Sequence, residues 1–115
     1  MLETAPDGSL TAVTDDTFAA VVLAADRPVV VDFWADWCPP CRAISRSLAE
    51  LAGEFAGRMV FATIDTDANP DTTRAYGVLS LPTLLVFRRG EVVGSIVGAR
   101  PKHHLRQSLA RHVDG

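Results

Sequence analysis

Residues 29–42 read VVVDFWADWCPPCR. The first six, Val29 to Trp34, are β-branched or aromatic apart from one aspartate, a density that suits a central strand covered on both faces. Cys38 and Cys41, the only two cysteines of the chain, come next with Pro39 and Pro40 between them. Beyond Cys41, Ile44, Leu48, Leu51, Ala52 and Phe55 recur on one face of a helix. A buried strand therefore runs through a short turn into a pair of thiols at the head of an amphipathic helix.

On the N-terminal side, residues 1–8 form a loose acidic arm and Ser9 to Val13 alternate as a short strand. Thr14 is placed as a helix N-cap, with Asp15 and Asp16 in the first turn where the helix dipole favours acids. That helix is expected to run to Ala25 and to stop at Arg27-Pro28. On the C-terminal side, Gly57 ends the cysteine helix and Met59 to Ile64 form another buried strand. Pro70 suits the first turn of a short helix that reaches Tyr76, with Gly77 just past its end. Thr83 to Phe87 and Glu91 to Val97 flank Arg89-Gly90, a hairpin with a loop of about three residues. Pro101 opens a last helix carried by Leu105, Leu109 and Val113. The order β-α-β-α-β-α-β-β-α implies an α/β fold: a mixed β-sheet of about five strands flanked by about four helices. A single domain over 9–115 accounts for it.

The composition narrows the function classes. With 115 residues and 48% apolar content there is material for one core. MLETAPDGSL has neither the basic start nor the apolar stretch of a secretion signal, so a cytoplasmic setting is expected. The longest apolar run, Phe18 to Ala25, has eight residues, against roughly 20 for a membrane span. Net charge is −3, and the ten arginines and one lysine form no basic tract, so neither a membrane nor nucleic acid is an expected partner. His103 and His104 are adjacent and point to different sides of the last helix, and His112 is expected to be solvated.

Three uses of the cysteines compete. A disulfide between residues three apart in sequence closes too small a loop to brace a fold by loop entropy. Structural zinc needs four ligands, and one C-x-x-C supplies two. A dithiol beside a βαβ pattern reads instead as redox-active. With Cys38 at the N-cap and Pro39 and Pro40 opening the helix, the Cys41 amide is the natural donor to the Cys38 sulfur. The helix dipole adds roughly 0.3–2 kcal/mol and a charge-assisted hydrogen bond roughly 1.5–3 kcal/mol in favour of a thiolate. Cys38 is then the attacking nucleophile and Cys41, one turn inward, the resolving thiol.

VVVDFWADWCPPCR, YGVLSLPTLLVFRRGE (76–91) and VGA (97–99), in this order and at these separations, resemble the thioredoxin family over about residues 9–112. The two prolines between the cysteines are also similar to tryparedoxin and nucleoredoxin, which are longer. The resemblance implies a thioredoxin fold and a protein-disulfide reductase that binds no cofactor. Electrons would come from NADPH through a thioredoxin reductase, and the partners would be that reductase and disulfide-containing clients, met by a monomer. It implies that Asp32 sits behind Cys41 and takes its proton, with burial raising the aspartate's pKa. It also implies a cis peptide before Pro82, facing the cysteines. Trp37, Pro39, Pro40, Leu81, Pro82, Gly98 and Ala99 would form the docking face, with Trp34 packed beneath.

Three positions depart from the family pattern. Thr63 stands where many members carry a lysine that offsets the buried carboxylate, so Asp32 is expected to titrate higher here unless an arginine reaches it. Pro39 replaces the usual glycine, which is expected to move the reduction potential by tens of millivolts, at about 1.4 kcal/mol per 30 mV. Arg46 replaces a helix-kinking proline, so a straighter helix is expected. Against the reductase stand a thiol oxidant or disulfide isomerase, a non-catalytic binding module, and a metal or iron–sulfur site shared by two chains.

Overall fold

In a computed structural model describing residues 9–113, the run Val29–Trp34 forms the middle strand of a five-stranded sheet among those residues. The elements are β1 (Leu10–Ala12), a π-helical stretch (Ala19–Leu23), β2 (Val29–Trp34), α1 (Pro39–Glu54), β3 (Val60–Asp65), α2 (Pro70–Ala75), β4 (Thr83–Arg88), β5 (Glu91–Val97) and α3 (Lys102–Ala110). The arm expected over residues 1–8 lies outside the described residues. Strand order is β1-β3-β2-β4-β5. The first three pair in parallel, and β4 runs antiparallel to both β2 and β5.

Strand periodicity divides the core into two layers. Val29, Val31 and Phe33 point to one face, where they meet Phe18, Val22, Ile64 and Phe87. Val30 points to the other, against Leu48 and Leu51 of α1, Phe55 at its C-cap, and Leu105 and Leu109 of α3. Each such fully buried side chain contributes about 1.5–3 kcal/mol. The same alternation puts Asp32, two residues after Val30, on the face covered by α1, where a charge has no place unless it is used.

Proline at both of its first helical positions starts α1 without loss, because those amides have no partner inside a helix. The helix runs unbroken from Pro39 through Arg46 to Glu54. It ends at Phe55, and Gly57 turns the chain with φ +83°.

Two expected elements differ. The helix read from Thr14 to Ala25 is a turn followed by five π-wound residues, Ala19–Leu23, closed by an amide bond from Ala24 back to Ala19. Thr14 does cap the turn: its Oγ1 accepts from the Thr17 amide at 3.2 Å, and its own amide donates to Thr17 Oγ1 at 2.9 Å. Asp15, however, is drawn away to another element. The hairpin loop is two residues, not three, because Arg89 and Gly90 both take positive φ (52° and 83°), as a tight type I′ turn requires. A register shift at Val86/Phe87 sets Val93 opposite no partner and twists the edge strand β5.

Asp15 supplies the cap that α2 lacks from its own sequence. Its carboxylate accepts from the Thr72 and Asp71 amides at 2.8 and 3.2 Å, while its amide donates to Asn69 Oδ1 at 2.8 Å. Hydrogen bonding from Thr72, foremost, lowers the Asp15 pKa. A group with a lowered folded pKa stabilises above its unfolded value, 3.8, and stops doing so as pH falls through the folded one. Asp15→Ala is therefore expected to lower Tm at pH 7 and to converge with the native chain well below pH 4. Thermal melts across pH check this, and an equal deficit at every pH would refute the assignment.

Candidate functional site

The turn after β2 delivers Cys38 in extended conformation (φ −102°, ψ 98°) as the N-cap of α1, with Cys41 in the first turn. The two are joined in a disulfide with Cα atoms 5.4 Å apart. The expected amide-to-sulfur bond does not occur in this oxidised form. Cys38 Sγ is held by Cys41 Sγ, and the Cys41 amide donates instead to the Cys38 carbonyl at 3.1 Å. Both cysteines are buried, between exposed Trp37, Pro39 and Pro40.

Trp37 is 65% exposed, and its indole Nε1 donates to Asp67 Oδ2 at 2.9 Å. That bond lays the ring along a groove of about 380 Å³ shared with Leu79 and Leu81. The Leu81–Pro82 peptide is cis, as the resemblance implies. The Pro82 carbonyl accepts from the Gly98 amide at 2.9 Å, and Gly98 takes φ +95°, a conformation that favours glycine. Exposed Ala99 follows it. The seven expected docking residues thus fall on two adjoining stretches, Trp37–Pro40 and Leu81–Pro82 with Gly98–Ala99, linked through the groove between Trp37 and Leu81. Asp67 and the almost fully exposed Leu79 were not expected there.

On the sheet face covered by α1, Asp32 is completely buried. Its Oδ2 accepts from Ser45 Oγ at 3.1 Å, and Oδ1 has no partner among the described residues. Burial raises its pKa to about 7, opposed by the Ser45 hydrogen bond. Thr63 is its register partner on β3, and no arginine or lysine pairs with it among the described residues. Trp34 is half-buried and, with Cys41, Ser45, Arg46 and Thr63, lines a second groove of about 430 Å³. Ser45 gave no sign in sequence beyond its spacing of one helical turn from Cys41.

Two surface readings change or gain partners. His112 is half-buried rather than solvated, its ring lying where a Cβ on Gly94 would come within 2.8 Å of Nε2. Desolvation lowers its pKa. Lys102 pairs with Glu50 at 2.7 Å, beside Arg106 on Glu54, and so ties α3 to α1. Among the described residues no group of three or more His, Cys, Asp or Glu is placed to hold a metal ion, and no helix is long and apolar enough to cross a membrane.

A cysteine pair joined at the head of a helix that also bonds a buried carboxylate, with a cis-proline loop sharing the groove of Trp37, defines a thiol-disulfide oxidoreductase. Sequence kinship specifies which kind. The family model for thioredoxin matches residues 9–111. The chain is 54% identical over 95 residues to thioredoxin of Streptomyces clavuligerus, covering 83% of this chain and 88% of that protein. It is 45% identical over 101 residues to thioredoxin 1 of Nostoc sp., covering 88% and 94%. It is 42% identical over 103 residues to the chloroplastic M-type thioredoxin of Chlamydomonas reinhardtii, covering 90% and 74%. The chain belongs to the thioredoxin family, whose members are disulfide reductases that carry electrons on the cysteine pair and bind no prosthetic group. Kinship that includes a chloroplastic protein does not fix a compartment.

Proposed function

We propose that the chain reduces protein disulfides in the cytoplasm as a monomer, with Cys38 as nucleophile, Cys41 as resolving thiol and Asp32 as the acceptor of the Cys41 proton. The observation that carries this is the placement of Cys38 at the N-cap of α1, the helix whose Ser45, one turn beyond Cys41, bonds a buried carboxylate with one oxygen unpartnered among the described residues. The positive end of the helix dipole stabilises a thiolate at that position. Cys41 follows one turn inward on the face turned to Asp32. Electrons reach the pair from NADPH through a thioredoxin reductase.

Trp37, Pro39, Pro40, Leu81, Pro82, Gly98 and Ala99 receive the client. The backbone before the cis Pro82 pairs with an extended client in this reading, and Trp37 with Leu81, on one groove, offers apolar cover. Reduction of insulin disulfides driven by NADPH and a thioredoxin reductase tests the reading: the native chain is expected to turn over and Cys38→Ser to give background only. An inert native chain would overturn it. Trp37→Ala is expected to raise KM for insulin about tenfold or more, the cost of about 1.4 kcal/mol of lost contact, with kcat little changed. A fall in kcat at constant KM would instead remove Trp37 from the docking face.

A further inference from the structure

Among the described residues Ser45 is the one side chain that touches Asp32 through a hydrogen bond. It lies one turn beyond Cys41, and both line the groove that Thr63 closes from β3. The carboxylate accepts, so the Ser45 hydroxyl is the donor and Oδ2 is taken; Oδ1 is buried without a partner among the described residues. Cys41, Arg42 and Arg46 from α1, Asp36 from the turn after β2, Leu10 from β1 and Thr63 from β3 line the groove with Ser45, and Asp32 itself is in register with Thr63 on β3 and Leu84 on β4. Both arginines are exposed on the groove's rim, and no cation pairs with the carboxylate among the described residues. The work done elsewhere by a counter-charge falls here to one neutral hydroxyl.

We infer that Ser45 is a positioning residue for thiol-disulfide exchange: by holding Oδ2 it fixes the carboxylate beneath Cys41 and leaves Oδ1 as the oxygen that takes the thiol's proton. The inference rests on Asp32 as the proton acceptor proposed above. In the mixed disulfide, the Cys41 S–H proton passes to Asp32 Oδ1 as Cys41 Sγ forms a bond to Cys38 Sγ. The bond from Cys38 to the client sulfur breaks, and its electron pair leaves as the client thiolate, which takes a proton from water. Cys38 and Cys41 are oxidised by two electrons and the client is reduced by two. Asp32 then returns its proton to solvent. A hydroxyl donated to the charged form favours that form, so Ser45 also keeps more of the carboxylate ready to accept at neutral pH.

The test follows oxidation of the reduced chain by insulin in single turnover from pH 6 to 9, alongside the Asp32 carboxyl titration by NMR. Native chain, Ser45→Ala, Ser45→Thr and Asp32→Asn are compared. Losing one charge-assisted hydrogen bond is expected to move both the rate inflexion and the carboxyl midpoint of Ser45→Ala about one pH unit higher. Its rate then falls roughly fivefold at pH 7 and converges with the native rate near pH 9, while Ser45→Thr, which keeps a hydroxyl, returns toward native values. A merely structural serine would slow exchange equally at every pH, and that result overturns the inference. So does an inflexion that Asp32→Asn abolishes but Ser45→Ala leaves in place. If Asp32→Asn itself keeps the native profile, the proton-acceptor reading fails and the role of Ser45 with it.

Discussion

Cys41→Ser is expected to stall the chain as a covalent adduct with its client, whereas Cys38→Ser is expected to form no adduct at all. The asymmetry follows from where the two sulfurs stand. Cys38 caps α1, flanked by exposed Trp37 and Pro39, and is in the proposed reading the sulfur a client approaches. Its thiolate attacks a client sulfur, forming one bond and breaking the client's disulfide. Release then needs a second thiol within reach of Cys38, and Cys41 supplies it one turn inward, with Cα atoms 5.4 Å apart. A serine at 41 has the reach but not the nucleophilicity, since a hydroxyl is far less readily ionised than a thiol. Non-reducing electrophoresis and intact mass after mixing with insulin should show a reducible adduct for Cys41→Ser and none for Cys38→Ser. Both variants should lose NADPH-driven turnover to background. Adducts on Cys38→Ser in place of Cys41→Ser would reverse the two roles.

The fold was legible where side-chain period and chain punctuation agreed. Val29–Trp34 matches its expected bounds because a run so rich in β-branched residues has no good alternative to a buried strand. Pro39, Pro70, Gly57 and Gly77 marked helix ends because each acts through its own backbone torsions or its missing amide. The first helix misread as regular shows the limit of local signals. Asp15 looked like a first-turn acid, but the amides of Asp71 and Thr72, 56 and 57 residues away in sequence, claim its carboxylate. Nothing in a local window records a bond of that span.

The site divides in the same way. Cys38, Cys41 and the prolines are contiguous and were read from motif and spacing, and Asp32 stood out as the one charge in an apolar strand. Strand alternation even places Asp32 on the α1 face. What it meets there depends on the rotation and height of α1 over the sheet, so Ser45 could not be told from any other helical serine. Asp67, which holds Trp37, and Leu79, which is 96% exposed, sit in loops whose course is set by the elements they join. Their roles became visible only once Trp37 and Leu81 were found on one groove.

Removing the buried charge is expected to strengthen the fold while weakening the chemistry. Among the described residues Asp32 is buried with a single hydrogen bond and no cation, and burial raises its pKa from 3.8 to about 7. A group whose folded pKa lies above its unfolded one contributes full stability below the unfolded value and loses it as pH climbs through the folded value. The native chain should therefore weaken progressively between about pH 4 and pH 8. Each pH unit of separation corresponds to about 1.4 kcal/mol, so the loss is on the order of 4 kcal/mol. Asp32→Asn keeps the shape and cannot ionise. Its Tm should match or fall slightly below the native value near pH 4 and exceed it above pH 8, by on the order of 10 °C for a domain of this size. A Tm difference that stayed constant across this range would show that Asp32 carries no buried charge. The same variant should exchange disulfides more slowly at pH 7, because the oxygen that accepts the Cys41 proton becomes an amide. Opposite signs of the two effects, a firmer fold and a slower exchange, would separate a role of Asp32 in the reaction from a role in packing.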